Sequence, residues 1–172
     1  SILGKVDGDS ADETSSVSPR SPYGVAKHAG EEYLDVYNRL YDLDYLVYRF
    51  FNVYGPYQHP DSGAFVPVVL SRLMNGDGVF VTGDGTQTRD FVHARDVAEF
   101  MRRGIEGDVA NEIVNMGYGE QVQIIDAIHT MADIAGVDPD IDRRPERDDE
   151  IGDFCADMSK CEELFGTRPS TP

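Results

Sequence analysis

The chain has 172 residues, enough for one domain with a sizeable core, and it carries 32 acidic against 15 basic side chains for a formal net charge of −17. It offers no basic stripe to a nucleic-acid backbone and no run of about 18 apolar residues to a membrane. The acids are interleaved with apolar runs, which excludes an acidic disordered tail.

The basic set is skewed, with three lysines (Lys5, Lys27, Lys160) against twelve arginines. An aspartate-rich, lysine-poor surface suits a high-salt cytoplasm, where screening over a few ångströms removes self-repulsion. The first residues lack the basic-then-apolar pattern of a secretion signal, so a cytoplasmic location is expected. Cys155 and Cys161 have no metal-ligand spacing and read as plain thiols in a reducing compartment.

Residues 1–22 are rich in Gly, Ser, Asp and Pro and read as a loop. Ser21 is a good N-cap and Pro22 suits the first helical position, so a helix is predicted from there to about Leu40. Tyr45 to Val53 has the branched and aromatic content of a strand, and its nearly continuous apolar run predicts burial on both faces. After the turn Tyr54-Gly55-Pro56, a helix is predicted over Phe65 to Met74, ended by Asn75-Gly76-Asp77-Gly78. Val79 to Val81 reads as a short strand, Asp96 to about Ile105 as a helix, and Glu112 to Met116 as a strand. Helices over Ile124 to Ala135 and Ser159 to Phe165 follow, each stopped by a glycine. Strands alternating with helices predict an α/β architecture with a largely parallel sheet. No GxxGxxG or GxGxxG turn occurs, so the expected fold is a partial Rossmann-like parallel sheet, its N-terminal half absent, with a small mixed α/β substrate-binding region.

Tyr23 and Lys27 stand one helical turn apart, about 6 Å on one face. A free phenol ionises near about pH 10, and an adjacent ammonium favours the phenolate, which suits such a pair to proton transfer. By spacing alone, which recurs by chance, it reads first as an aromatic ring against a lysine stem.

Five segments in order, SPYGVAK (21–27), RFFNVYGP (49–56), GDGTQTRDFVHARDV (83–97), NMGYG (115–119) and ADMSK (156–160), resemble the extended short-chain dehydrogenase/reductase family, in its NAD-dependent epimerase/dehydratase branch. The resemblance runs over about residues 1–169 and suggests the C-terminal part only of such a protein. It implies a nucleotide-sugar 4-epimerase of the UDP-glucose/UDP-galactose type working through a 4-keto intermediate, with NAD as cofactor. A 4,6-dehydratase or another sugar-nucleotide-modifying relative is the alternative. The isolated chain is expected to be inactive, at most a structural or interaction partner. The whole protein is expected to be a homodimer.

The resemblance also implies roles for residues. Tyr23 is the catalytic acid or base, and Lys27 holds the nicotinamide ribose and favours the phenolate; both, with Phe50, touch the cofactor. Asn52 faces the sugar nucleotide, unless its side chain caps the following turn. Arg89 meets the diphosphate, with Asp90 either orienting it or pairing with it, and Arg147 is a second diphosphate contact with Arg144 as rival. Ser1 is at best a neighbour of the catalytic hydroxyl residue, and Leu3 stands where a tyrosine is usual. Thr82 replaces a base-packing aromatic. His93 is left as a hydrogen-bonded core residue. Residues 54–88 and 118–172 would form the substrate-binding lobe, the loop Asp61 to Val66 adding contacts to the nucleotide. Tyr33, Tyr37 and Tyr41 fit a dimer seam or burial against further chain.

Overall fold

The computed structural model describes residues 2–3, 10–145 and 152–171. Arg147 and Ser1 lie outside the described residues. The first helix, α1 (Pro22–Tyr41), starts where the sequence requires: the Ser21 hydroxyl accepts the Gly24 N–H at 3.0 Å. Strand β1 (Leu46–Phe50) follows, then β2 (Asn52–Tyr54), a 3₁₀ turn at Pro60–Ser62, α2 (Phe65–Asn75), β3 (Val79–Thr82), β4 (Thr88–Arg89) and β5 (Phe91–His93). The rest is α3 (Ala94–Glu106), β6 (Glu112–Met116), β7 (Val122–Gln123), α4 (Ile124–Ala135), β8 (Ile141–Arg144) and α5 (Ser159–Phe165).

The single strand expected over 45–53 is two. Phe51 N–H donates to Met116 O, and Asn52 N–H donates to Asp90 O, both at 3.0 Å. At Phe51 the chain therefore changes partner, from β6, which β1 pairs in parallel, to β5, which β2 pairs in parallel. β3 and β8 make a third parallel pair, while β4 and β7 are antiparallel. Three parallel pairs thus run from Leu46 to Arg144 with helices between them. The expectation of a partial Rossmann-like sheet is corrected accordingly: the parallel α/β core extends through the described residues.

Burial on both faces of β1 is also corrected, since its residues are half-buried and Phe50 is exposed. Leu46 and Tyr48 pack with Phe100, Val114 and Met116 beneath α3 and α5. The opposite face carries Arg49, which belongs to a charge pair rather than to apolar packing. A second core joins α2, β3 and α4 through Val69, Leu73, Val79, Val81 and Ile128. The predicted loop before α1 is not loose where described: Leu3 bridges Val17, Ala11 bridges Ala156, and Ile2, Leu3 and Ala11 form a small core with Phe51 and Phe154. Helix α1 buries only Gly24, leaving Tyr33, Tyr37, Leu40 and Tyr41 exposed. Among the described residues, no helix is long and apolar enough to cross a membrane.

Candidate active site

The candidate residues fall on two neighbouring cavities, because β1 ends in one and β2 begins in the other. The first is a cleft of about 520 Å³ between α1 and β1, bordered by Tyr23, Lys27, Phe50 and, at its floor, Ile2, Leu3 and Phe154. The proline-capped first turn of α1 puts Tyr23 and Lys27 on the cleft side, with Lys27 Nζ 5.4 Å from the centroid of the Tyr23 ring. The ammonium lies against the aromatic ring, and both residues border the cleft. Phe50 stacks on Tyr48 at 6.3 Å between ring centroids and keeps an exposed face.

The helix that carries the pair is tied to the sheet by charge. Arg49 Nε and Nη2 donate to the two Glu31 carboxylate oxygens at 2.9 and 2.8 Å, and Nη1 donates to Glu13 O at 2.9 Å. Both side chains are 9% exposed. A paired, fork-shaped contact holds charges at such depth where a single hydrogen bond would not. The Glu13 carboxylate accepts the Asn115 N–H at 2.6 Å, and Asn115 Nδ2 donates to Ala11 O at 2.8 Å, so residues 11–13 strap the ends of β1 and β6. The sequence reading did not find this network. An arginine inside the apolar run YLVYRFFNV was its only local signal.

The second cavity, of about 600 Å³, lies between α2, β3 and the end of β8. Asn52 and Arg89 both border it. Asn52 Nδ2 donates to Asp90 O at 3.1 Å, so the amide ties β2 to the residue that precedes β5 instead of capping the following turn. Arg89 Nη1 donates to Thr88 O at 2.7 Å and Gly152 O at 2.8 Å. Thr82 and Arg144 border the same cavity, as do Gly63 and Phe65 from the expected nucleotide loop and its edge.

Asp90 neither orients Arg89 nor pairs with it. Its side chain turns inward, wholly buried, and accepts the N–H groups of Tyr118 at 2.6 Å, Gly119 at 3.0 Å and Ala156 at 3.0 Å. Burial pushes the carboxyl above its ordinary range, and these backbone donors pull it back. Nothing in the sequence pattern signals partners that are backbone groups 28 to 66 positions away. His93 caps α3, its Nδ1 accepting the Arg95 N–H at 3.1 Å. Cys155 and Cys161 are free and buried, and burial pushes their thiols up to about 11 and about 12. Among the described residues, no group of three or more His, Cys, Asp or Glu is placed to hold a metal ion.

The sequence profile of the NAD dependent epimerase/dehydratase family matches residues 1–117. The chain belongs to this family. A UDP-glucose 4-epimerase of Mycolicibacterium smegmatis is 34% identical over 155 residues, covering 89% of this chain and 49% of the relative. The solved UDP-glucose 4-epimerase of Thermotoga maritima with UDP-glucose superposes with a TM-score of 0.93 at 32% identity, over 99% of this chain and 55% of its own. A dTDP-glucose 4,6-dehydratase of Streptomyces venezuelae, solved with NAD bound, gives 0.89 at 29% identity, over 99% and 53%. Resemblance to a C-terminal part only is thereby corrected: the family profile matches from residue 1, and the epimerase/dehydratase fold runs through 99% of the chain. The chain spans about half the length of the curated relatives it matches.

Proposed function

We propose that the protein is an NAD-dependent nucleotide-sugar 4-epimerase of the UDP-glucose/UDP-galactose type. The observation that carries this reading is the placing of Tyr23 and Lys27 together on the cleft wall, 5.4 Å from ammonium to ring centroid, beside the exposed Phe50. The cleft fits a nicotinamide riboside: Lys27 would hold the ribose hydroxyls, and Phe50 would lie against the flat ring. NAD, when bound, supplies the acceptor and donor of hydride. Tyr23 takes the proton of the sugar 4-hydroxyl and returns one when the keto sugar is reduced, with the Lys27 charge favouring its phenolate form. Asn52 and Arg89 hold the sugar nucleotide in the adjoining cavity, Arg89 at the diphosphate, and Arg147 joins it there. Segments 54–88 and 118–172 act as the substrate lobe.

Relatives supply the support for the cofactor and the substrate class: a UDP-glucose 4-epimerase of Thermus thermophilus is solved with NAD, and that of Thermotoga maritima with UDP-glucose. A 4,6-dehydratase is the second reading, favoured by the 28% identity over 98% of this chain with a dTDP-glucose 4,6-dehydratase of Streptomyces niveus. The RFFNVYGP wording favours the epimerase. The exposed Tyr33, Tyr37 and Tyr41 support a homodimer seam along α1. The net charge of −17 supports a high-salt cytoplasm as the setting.

Product analysis tests the reaction. In the whole protein, UDP-glucose should give UDP-galactose by NMR, and Tyr23→Phe should lower kcat by about 100-fold or more. A 4-keto-6-deoxy sugar product would move the assignment to the dehydratase, and unchanged turnover in Tyr23→Phe would remove the proton-transfer role. The 172 residues contain no glycine-rich phosphate turn, so by themselves they should show little turnover and bind NAD more weakly than micromolar in calorimetry. Micromolar binding would overturn that expectation.

A further inference from the structure

The described lining of the cavity that Arg89 borders is rich in arginine. Among its described lining residues, Arg72, Arg89 and Arg144 carry guanidinium groups and none carries a carboxylate, in a chain with 32 acidic residues. Guanidinium groups on a cavity wall suit an anionic ligand.

Arg144 is set differently from the other two. Parallel pairing of β3 with β8 places it opposite Thr82, and strand alternation puts Thr82 on the same face as Phe80, away from the buried Val79 and Val81. From there the guanidinium sits over the ring, its central carbon 3.8 Å from the Phe80 centroid, a separation at which the two planar groups fit only face to face, while Nε donates to Asp142 Oδ2 at 3.1 Å. Ring and carboxylate together fix the plane of the group. The side chain is 52% exposed and borders the cavity, so the guanidinium face turned away from the ring is not covered by Phe80.

We infer that Arg144, held flat on Phe80, is the stacking platform for the nucleobase of a nucleotide ligand in this cavity, and not a second diphosphate contact. The inference rests on the nucleotide-sugar reading above. Guanidinium planes stack on bases as aromatic rings do, and every base offers a π-face. An ammonium on a flexible stem keeps the charge but has no plane. Thr82, directly across the strand pair, has too small a side chain to cover the same ground.

Lysine therefore separates the two roles. UDP and inorganic pyrophosphate are titrated calorimetrically into the chain and into Arg144→Lys, Phe80→Leu and Arg89→Ala, each checked for fold by circular dichroism. Arg144→Lys should weaken UDP about tenfold or more and leave pyrophosphate within about twofold, because only the base loses a partner. Phe80→Leu should weaken UDP in the same direction by freeing the guanidinium plane. Arg89→Ala should weaken both ligands. UDP affinity unchanged in Arg144→Lys overturns the platform while leaving the nucleotide reading intact. Equal loss of UDP and pyrophosphate in Arg144→Lys makes Arg144 a phosphate contact and also overturns the platform. Failure of the unaltered chain to bind UDP overturns both readings.

Discussion

Removing the Asp90 side chain tests whether the NMGYG loop is held to the sheet by one buried carboxylate. In Asp90→Ala, the N–H groups of Tyr118, Gly119 and Ala156 lose their acceptor at once. A buried donor left without a partner costs about 1–3 kcal/mol, and three would cost up to about 9 kcal/mol. Water entering the vacated space would recover part of this, and removal of a buried carboxyl that is pushed above its ordinary range recovers more. A net loss of about 3–5 kcal/mol remains, against typical stabilities of about 5–15 kcal/mol. For a domain of this size that corresponds to a fall in Tm of about 6–20 °C.

The pH dependence has a definite sign. Because the folded carboxyl is raised, the stabilisation from Asp90 is fully present below the ordinary aspartate range and declines as pH rises through the folded value. The gap between the original chain and Asp90→Ala should therefore narrow from pH 4 to pH 7. Thermal and urea unfolding at both pH values, with m unchanged, measure it. A fall in Tm below about 2 °C at pH 4 would show that water replaces the carboxyl group without loss, and the reasoning would fail.

Gly117→Ala attacks the same hub from the other side, since an added Cβ would meet Asp90 Oδ2 at 2.5 Å and Ala156 Cβ at 2.6 Å; urea unfolding should show a loss of about 1–3 kcal/mol. Arg49→Met strips the buried Glu31 of its partner and should lower stability by about 3–5 kcal/mol by the same measurement, with a smaller loss in the double variant Arg49→Met, Glu31→Met. Cys155 and Cys161, with thiols pushed up to about 11 and about 12 by burial, should resist a chromogenic disulfide reagent at pH 8 in the folded chain and react fully in denaturant; prompt reaction of either in the folded state would contradict their burial. Raising KCl from about 0.1 M to 1 M shortens the screening length from about 10 Å to 3 Å, so Tm should rise in a chain of net charge −17.

The parts of this protein legible in the sequence were those governed by neighbours along the chain. Ser21 and Pro22 start α1 because the cap hydroxyl reaches an N–H three residues on, and Gly76, Gly136 and Gly166 end α2, α4 and α5 in the left-handed conformation that favours glycine. The helical spacing of Tyr23 and Lys27 likewise set them on one face before any packing was known. Four short strands, β4, β5, β7 and β8, went unseen. Unlike β3, whose Val79-Phe80-Val81 run is closed by glycine turns, these short strands lack an apolar run with clear ends, and they exist because distant partners pair with them.

Tertiary structure alone decided the rest, for the same reason. Whether Tyr45 to Val53 is one strand or two depends on Met116 O and Asp90 O, which accept its N–H groups at Phe51 and Asn52. That switch sends Phe50 to the cleft and Asn52 to the second cavity, dividing residues that stand two apart in RFFNVYGP. Asp90 and Arg89 are adjacent and opposite in charge, yet strand alternation turns one into the core and the other toward the cavity. Local spacing set Tyr23 and Lys27 on one face of α1, and the family resemblance singled out Arg89. The packing of α1 on β1 that brings Glu31 to Arg49, and the pairing of β8 with β3, determined what stands beside them.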